Sequence, residues 1–151
     1  MPYFTAVLAR SGRTWSSRNI ALEPTLPLNE VATELRLAID SEEPTLLLVE
    51  REDAWWAVVR VDGEEDPRVF VSDVVGVAAS TYAEQLDTGG IEDADHDPAP
   101  GTCGGDLDVL ADLGTSPDDL HQMCDDELLP MDALATVAER AGFADVLDAL
   151  R

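Results

Sequence analysis

The 151-residue chain carries 32 Asp and Glu against nine Arg and no Lys, a formal net charge of -23 at pH 7. A surface of that sign repels phosphate backbones, which sets direct RNA or DNA binding aside as a first reading. Apolar residues still make up 45% of the chain, enough for a core, so the charge does not imply disorder; no apolar run reaches the roughly 18–20 residues of a membrane-spanning helix.

Residues 3–10 read as a strand, Ser11-Gly12-Arg13 as a turn and residues 14–22 as a second strand, together a hairpin. The opening residues lack a charged region before their short apolar stretch, so no signal peptide is assigned. Cytoplasm is then the expected compartment, with Cys103 and Cys124 as reduced thiols. Pro24 and Pro27 punctuate the chain, and a helix follows over 28–40. Leu28, Val31, Leu35 and Ile39 fall on one of its faces, with Glu30, Glu34 and Arg36 outward.

Residues 45–51 form a buried strand, residues 54–61 a second, and residues 68–72 a third after the acidic turn 62–67. A helix is expected over 73–86, capped by Ser72. The order is ββαβββα, an α+β arrangement with a small, mostly antiparallel sheet.

Residues 88–105 differ in kind. They contain the run Glu92-Asp93-Ala94-Asp95-His96-Asp97, two prolines and a single bulky apolar residue, Ile91, and read as a flexible acidic linker. Residues 106–151 read as short helices. Leu107, Leu110 and Leu113 mark the first, stopped by Gly114, and Ser116-Pro117-Asp118-Asp119 is a strong helix start. Leu134, Val137, Ala138 and Ala141 share a face of the next helix, closed by Gly142, and a last turn or two covers 144–150. Charge is distributed unevenly: residues 1–87 hold 16 acids and seven Arg, residues 88–151 hold 16 acids and two Arg.

The strands have two different faces. Trp55, Ala57, Val59 and Val61 are wholly apolar and belong to a core. Trp56, Val58 and Phe70 form a half-apolar second face flanked by Arg60 and Arg68. Something must cover a patch of that kind. Either the later helices lie on it, or it is a partner surface with Trp56 as anchor.

Candidate chemistry is thin. His96, Cys103, His121 and Cys124 match no standard zinc spacing. The segment 62–66 is acidic but lacks the order of a calcium loop, and Asp125-Asp126-Glu127 reads as a solvated segment between helices. Ser72 serves better as a cap than as a nucleophile, and Cys124 reads as a partly buried, inert thiol. The pairs Gly89-Gly90 and Gly104-Gly105 lack the strand-to-helix setting of a phosphate loop.

Three blocks carry a resemblance. They are Leu46-Leu47-Leu48-Val49-Glu50, then Trp55-Trp56-Ala57-Val58-Val59-Arg60-Val61-Asp62-Gly63, then Asp66-Pro67-Arg68-Val69-Phe70-Val71-Ser72-Asp73. Together with Gly105-Asp106-Leu107, Ala111-Asp112-Leu113-Gly114 and Ala138-Glu139-Arg140-Ala141-Gly142-Phe143, the chain resembles the actinobacterial tRNA adenosine deaminase-associated proteins. The resemblance implies an accessory or regulatory protein for that enzyme. The chain is not the deaminase itself, because it lacks the His-x-Glu and Pro-Cys-x-x-Cys motifs that hold the catalytic zinc and its acid/base Glu.

The expectation is therefore an α+β domain over 1–87, a flexible acidic linker over 88–105 and a helical segment over 106–151. It has no catalytic, cofactor-binding or metal-ligating residues, and Trp56, Val58, Arg60, Arg68 and Phe70 are the partner-binding candidates. The expected function is non-enzymatic association with a protein, by resemblance a tRNA adenosine deaminase, and without direct nucleic-acid or membrane contact. The alternative drawn from charge is an acidic nucleic-acid mimic or inhibitor that binds an unrelated basic protein. A third reading is an acidic surface with no electrostatic partner.

Overall fold

Period-2 alternation in five strands gives one sheet two apolar faces, and each face needs its own cover. The computed structural model describes residues 3–18, 20, 22–23, 25–39, 43–51, 54–63, 65–86 and 102–150. β1 (Tyr3–Ser11) and β2 (Thr14–Arg18) make the hairpin, and α1 (Leu28–Ala38) leads across to β3 (Pro44–Arg51), which pairs with the other side of β1. β4 (Trp55–Asp62) and β5 (Arg68–Val71) continue as a meander, and β6 (Gly104–Gly105) closes the far edge. The order is β2-β1-β3-β4-β5-β6, every pair antiparallel. This is the α+β fold expected from the element order.

One face packs on α1 and on residues 74–86. Val31, Ala32 and Leu35 of α1 meet Val7, Leu47, Val49, Trp55, Ala57, Val59 and Val71 there. The other face packs on α3 (Pro117–Asp125), α4 (Pro130–Ala141) and α5 (Ala144–Leu150). Leu120, Met123, Leu134, Val137, Phe143 and Leu147 meet Leu8, Leu46, Leu48, Trp56, Val58 and Phe70. The helical segment thus docks on the sheet, because 45 or so residues could not bury enough surface alone.

Several local expectations shift. The strand read over 14–22 ends at Arg18. The helix read over 73–86 is short: α2 (Val74–Ala78) stops and turns follow, because the Ser80 hydroxyl donates to Val77 O and accepts from Tyr82 N in place of the helical ladder. Its cap is Asp73, whose carboxylate accepts from the N–H groups of Val75 and Gly76, each at 3.1 Å. Ser72, read from sequence as the cap, instead accepts from Trp56 N at 2.9 Å, across to β4.

The end of the segment read as linker is β6. Gly104 and Gly105 pair with Val71 and Phe70, and Thr102 O accepts from Val74 N. Composition hid this strand because it contributes backbone pairing and no apolar side chain. Gly105 has φ +97, and a Cβ there would collide with the Val69 carbonyl, so glycine is required. Residues 88–101 of the expected linker lie outside the described residues.

Starts and stops in the helical layer follow the sequence. Ser116 caps α3 in a reciprocal capping box with Asp119. Pro130 opens α4, and Gly142, at φ +96, ends it.

Trp56 is 2% exposed in the centre of the helix-covered face. Trp56→Ala should cost about 3–5 kcal/mol of unfolding free energy, read as a lower denaturant midpoint. A loss below about 1 kcal/mol would mean that the helices do not cover this face.

Candidate functional site

β4 and β5 set Arg60 directly opposite Arg68 on the helix-covered face. Two like charges so placed repel, and Arg60 is only 4% exposed. The segment between β6 and α3 resolves both problems. Arg60 Nη1 and Nη2 donate to the two carboxylate oxygens of Asp112, at 2.5 and 2.8 Å, a two-pronged pair. Arg60 Nη1 also donates to Val109 O at 2.8 Å, and Nε donates to Asp62 at 3.0 Å. Arg68 Nε donates to Asp106 at 2.6 Å, and Nη2 donates to Asp108 O at 2.9 Å. Val69 O accepts from Asp106 N at 2.7 Å, which fixes the segment against β5.

The titration of these groups follows the contacts. The hydrogen bond from Arg60 holds the Asp112 carboxyl below its ordinary range, against a smaller opposing effect of burial. Burial raises Asp106, but the hydrogen bonds from Arg68 and the Asp108 N–H, with the arginine charges, bring it below the ordinary range overall. The same pairing raises Arg60 above its usual value.

The opposite edge has its own tie. Trp15 Nε1 donates to Ala141 O at 3.1 Å, and the Trp15 and Phe143 rings meet edge-on at 5.1 Å.

All five sequence candidates lie on this face; Trp56, Val58, Arg60 and Phe70 are buried in it, and Arg68 is half-buried at its margin. Trp56 and Phe70 touch at 5.2 Å between ring centroids, and Trp56, Val58 and Phe70 lie under the helices. The cover is the chain's own C-terminal half, so these side chains do not form an exposed anchor. Of the two readings left open by the sequence, the structure has the later helices on this face.

What is exposed lies beside it. Leu128, Leu129 and Met131, at the corner between α3 and α4, are 38%, 50% and 54% exposed. Leu128 and Leu129 border an open notch of about 200 Å³ lined also by Trp55, Asp73, Met123 and Cys124. Asp125, Asp126 and Glu127 precede the corner, and Glu127 turns it with a positive φ of 52. Asp125, Asp126 and Glu127 are exposed, as expected of a solvated segment, while no role is assigned from sequence to Leu128, Leu129 and Met131. Three apolar residues at a helix start were the signal available.

Cys103, His121 and Cys124 also converge. Cys103 Sγ lies 3.8 Å from His121 Nδ1. Burial, then the neighbouring Cys103 and Asp125, pushes the Cys124 thiol up to about 12. Among the described residues no three His, Cys, Asp or Glu side chains are placed to hold a metal ion, and His96 lies outside them. Among the same residues no helix is long and apolar enough to cross a membrane.

Arg60→Met should lower stability by about 2–3 kcal/mol, mainly by orphaning the Val109 carbonyl and by removing the Asp112 pair, whose exposed side limits the loss. The stability owed to Asp106 and Asp112 is present above the ordinary carboxylate range and fades as pH falls below about 4. Denaturation midpoints between about pH 5 and pH 2 should therefore fall less steeply in Arg60→Met than in the parent. An identical slope would show that the pair contributes nothing to acid sensitivity.

A family model described as Rv3753c-like tRNA adenosine deaminase-associated protein matches residues 3–144. No curated protein and no solved structure matches the chain.

Proposed function

The chain belongs to the Rv3753c-like tRNA adenosine deaminase-associated protein family, and from that premise we propose that it is a non-enzymatic accessory or regulatory protein that binds a tRNA adenosine deaminase. The family match over 142 of the 151 residues carries this reading. Charge supports it. An enzyme that acts on tRNA must present basic surface to phosphates, and a chain of net charge -23 complements such a surface.

The internal use of arginine sharpens the complementarity. Arg60, Arg68 and Arg140 are in ion pairs with Asp112, Asp106 and Asp119, and Arg36 donates to the carbonyls of Gly63 and Glu65. These four cations are thereby partly neutralised within the fold. Direct tRNA binding is disfavoured for the same reason, and the protein acts in the cytoplasm beside its partner.

Contact is made at the α3–α4 corner. Leu128, Leu129 and Met131 supply apolar area of the kind that anchors an interface, and the preceding acids supply the polar rim. The notch accepts an apolar side chain of the deaminase, and lysines or arginines around it meet Asp125, Asp126 and Glu127.

Purified chain and the deaminase of the same genome should co-elute at about 50 mM salt, with affinity falling at least tenfold by about 500 mM. No complex at low salt would overturn the reading; capture of an unrelated basic protein in its place would support the mimic alternative. The double variant Leu129→Glu, Met131→Glu should weaken the complex at least tenfold without lowering thermal stability, since both side chains are exposed. Unchanged affinity would move the contact elsewhere on the surface.

A further inference from the structure

The two cysteines, 21 positions apart in sequence, are brought to one place. Cys103 directly precedes β6, and Cys124 lies on α3 one turn after His121. Both thiols are half-buried against the helix-covered core. His121 and Cys124 share a face of α3, and it is this face that Cys103 approaches. His121 Nδ1 stands 3.8 Å from Cys103 Sγ. The core reading of an inert buried thiol accounts for either cysteine alone but leaves the pairing and the adjacent imidazole unexplained.

We propose that Cys103 and Cys124 are a redox-responsive dithiol, which a peroxide converts to a disulfide that ties β6 to α3. Cys103 is the attacking group, because the imidazole beside it can take its proton. Its thiolate attacks the peroxide oxygen, the O–O bond breaks, and Cys103 becomes a sulfenic acid as the first water (or an alcohol) leaves with the proton carried by His121. Cys124, kept protonated by its buried setting, then closes on the sulfenic sulfur. The S–S bond forms, the S–O bond breaks, and the hydroxide leaves with the Cys124 proton as a second water. Two thiols are oxidised by the loss of two hydrogens, and one peroxide is reduced.

The position gives the bond a consequence. β6 is a two-residue strand held by backbone pairing to β5 and by the adjoining Thr102 carbonyl. A 103–124 disulfide locks this strand to the helical layer and closes the loop containing Asp106, Asp108 and Asp112. Oxidation therefore acts on the segment that joins the two halves of the fold. It also reaches the proposed contact corner, since Cys124 lines the notch beside Leu128 and Leu129.

Full-length reduced protein exposed to hydrogen peroxide tests this by intact mass, thiol titration and peptide mapping. The expected result is a single 103–124 cross-link within one chain, two hydrogens lost, full reversal by a dithiol reductant, and a melting midpoint raised by about 5 °C or more. In Cys124→Ser, oxidation should stop at a sulfenic acid on Cys103 that dimedone traps. His121→Gln should slow cross-linking about tenfold while leaving the melting midpoint of the reduced protein unchanged. Two surviving thiols, overoxidation of each cysteine without the 103–124 bond, or cross-links only between chains would overturn the proposal.

Discussion

The structure depends on two arginines that β-strand pairing forces to face each other. β4 and β5 place Arg60 opposite Arg68 on a face otherwise made of Trp56, Val58 and Phe70. Alone, that face is untenable: two cations repel and a buried guanidinium loses its water. The segment 106–112 answers with two carboxylates and two carbonyls, each aimed by backbone geometry. The sheet is therefore complete only when the C-terminal half is in place, and the helices that follow cover the remaining apolar area.

This arrangement divides the charge. Arg60, Arg68 and Arg140 are used in pairs within the fold, while 32 acids against nine arginines leave the chain strongly negative. A chain of net charge -23 repels polyphosphates, and it belongs to a family named for association with a tRNA adenosine deaminase. Three of the five exposed large apolar side chains among the described residues, Leu128, Leu129 and Met131, lie at the α3–α4 corner.

Much of the fold was legible in the sequence. The apolar run in 45–51 and the two-faced run 54–61 marked the central strands, and Ser116, Pro117, Pro130, Gly114 and Gly142 marked helix boundaries that the structure keeps. The short β6 was not legible, because Gly104-Gly105 carries no side-chain pattern and its pairing is a long-range backbone event. Nor was the cap at Asp73, since Ser72 and Asp73 are both good caps and only the cross-strand bond to Trp56 N decides between them. The candidate face was read as half-apolar and flanked by Arg60 and Arg68, to be covered either by the later helices or by a partner. Its partner could not be read, because periodicity shows that a face needs cover and does not say which segment supplies it. Cys103, His121 and Cys124 were weighed with His96 only as a metal set whose spacing fits no motif; the docking of α3 near Cys103 brings Cys103 and His121 together.

The central claim is that Arg60 and Arg68 join the sheet and the helical layer into one cooperative unit. Native-state hydrogen exchange under increasing denaturant tests it most directly. The account predicts that amides in the middle of β3, around Leu48, and in α4, around Val137, converge on the same opening free energy and respond to denaturant together. Helical-layer amides that open several kcal/mol more easily, while β3 and β4 stay protected, would contradict it.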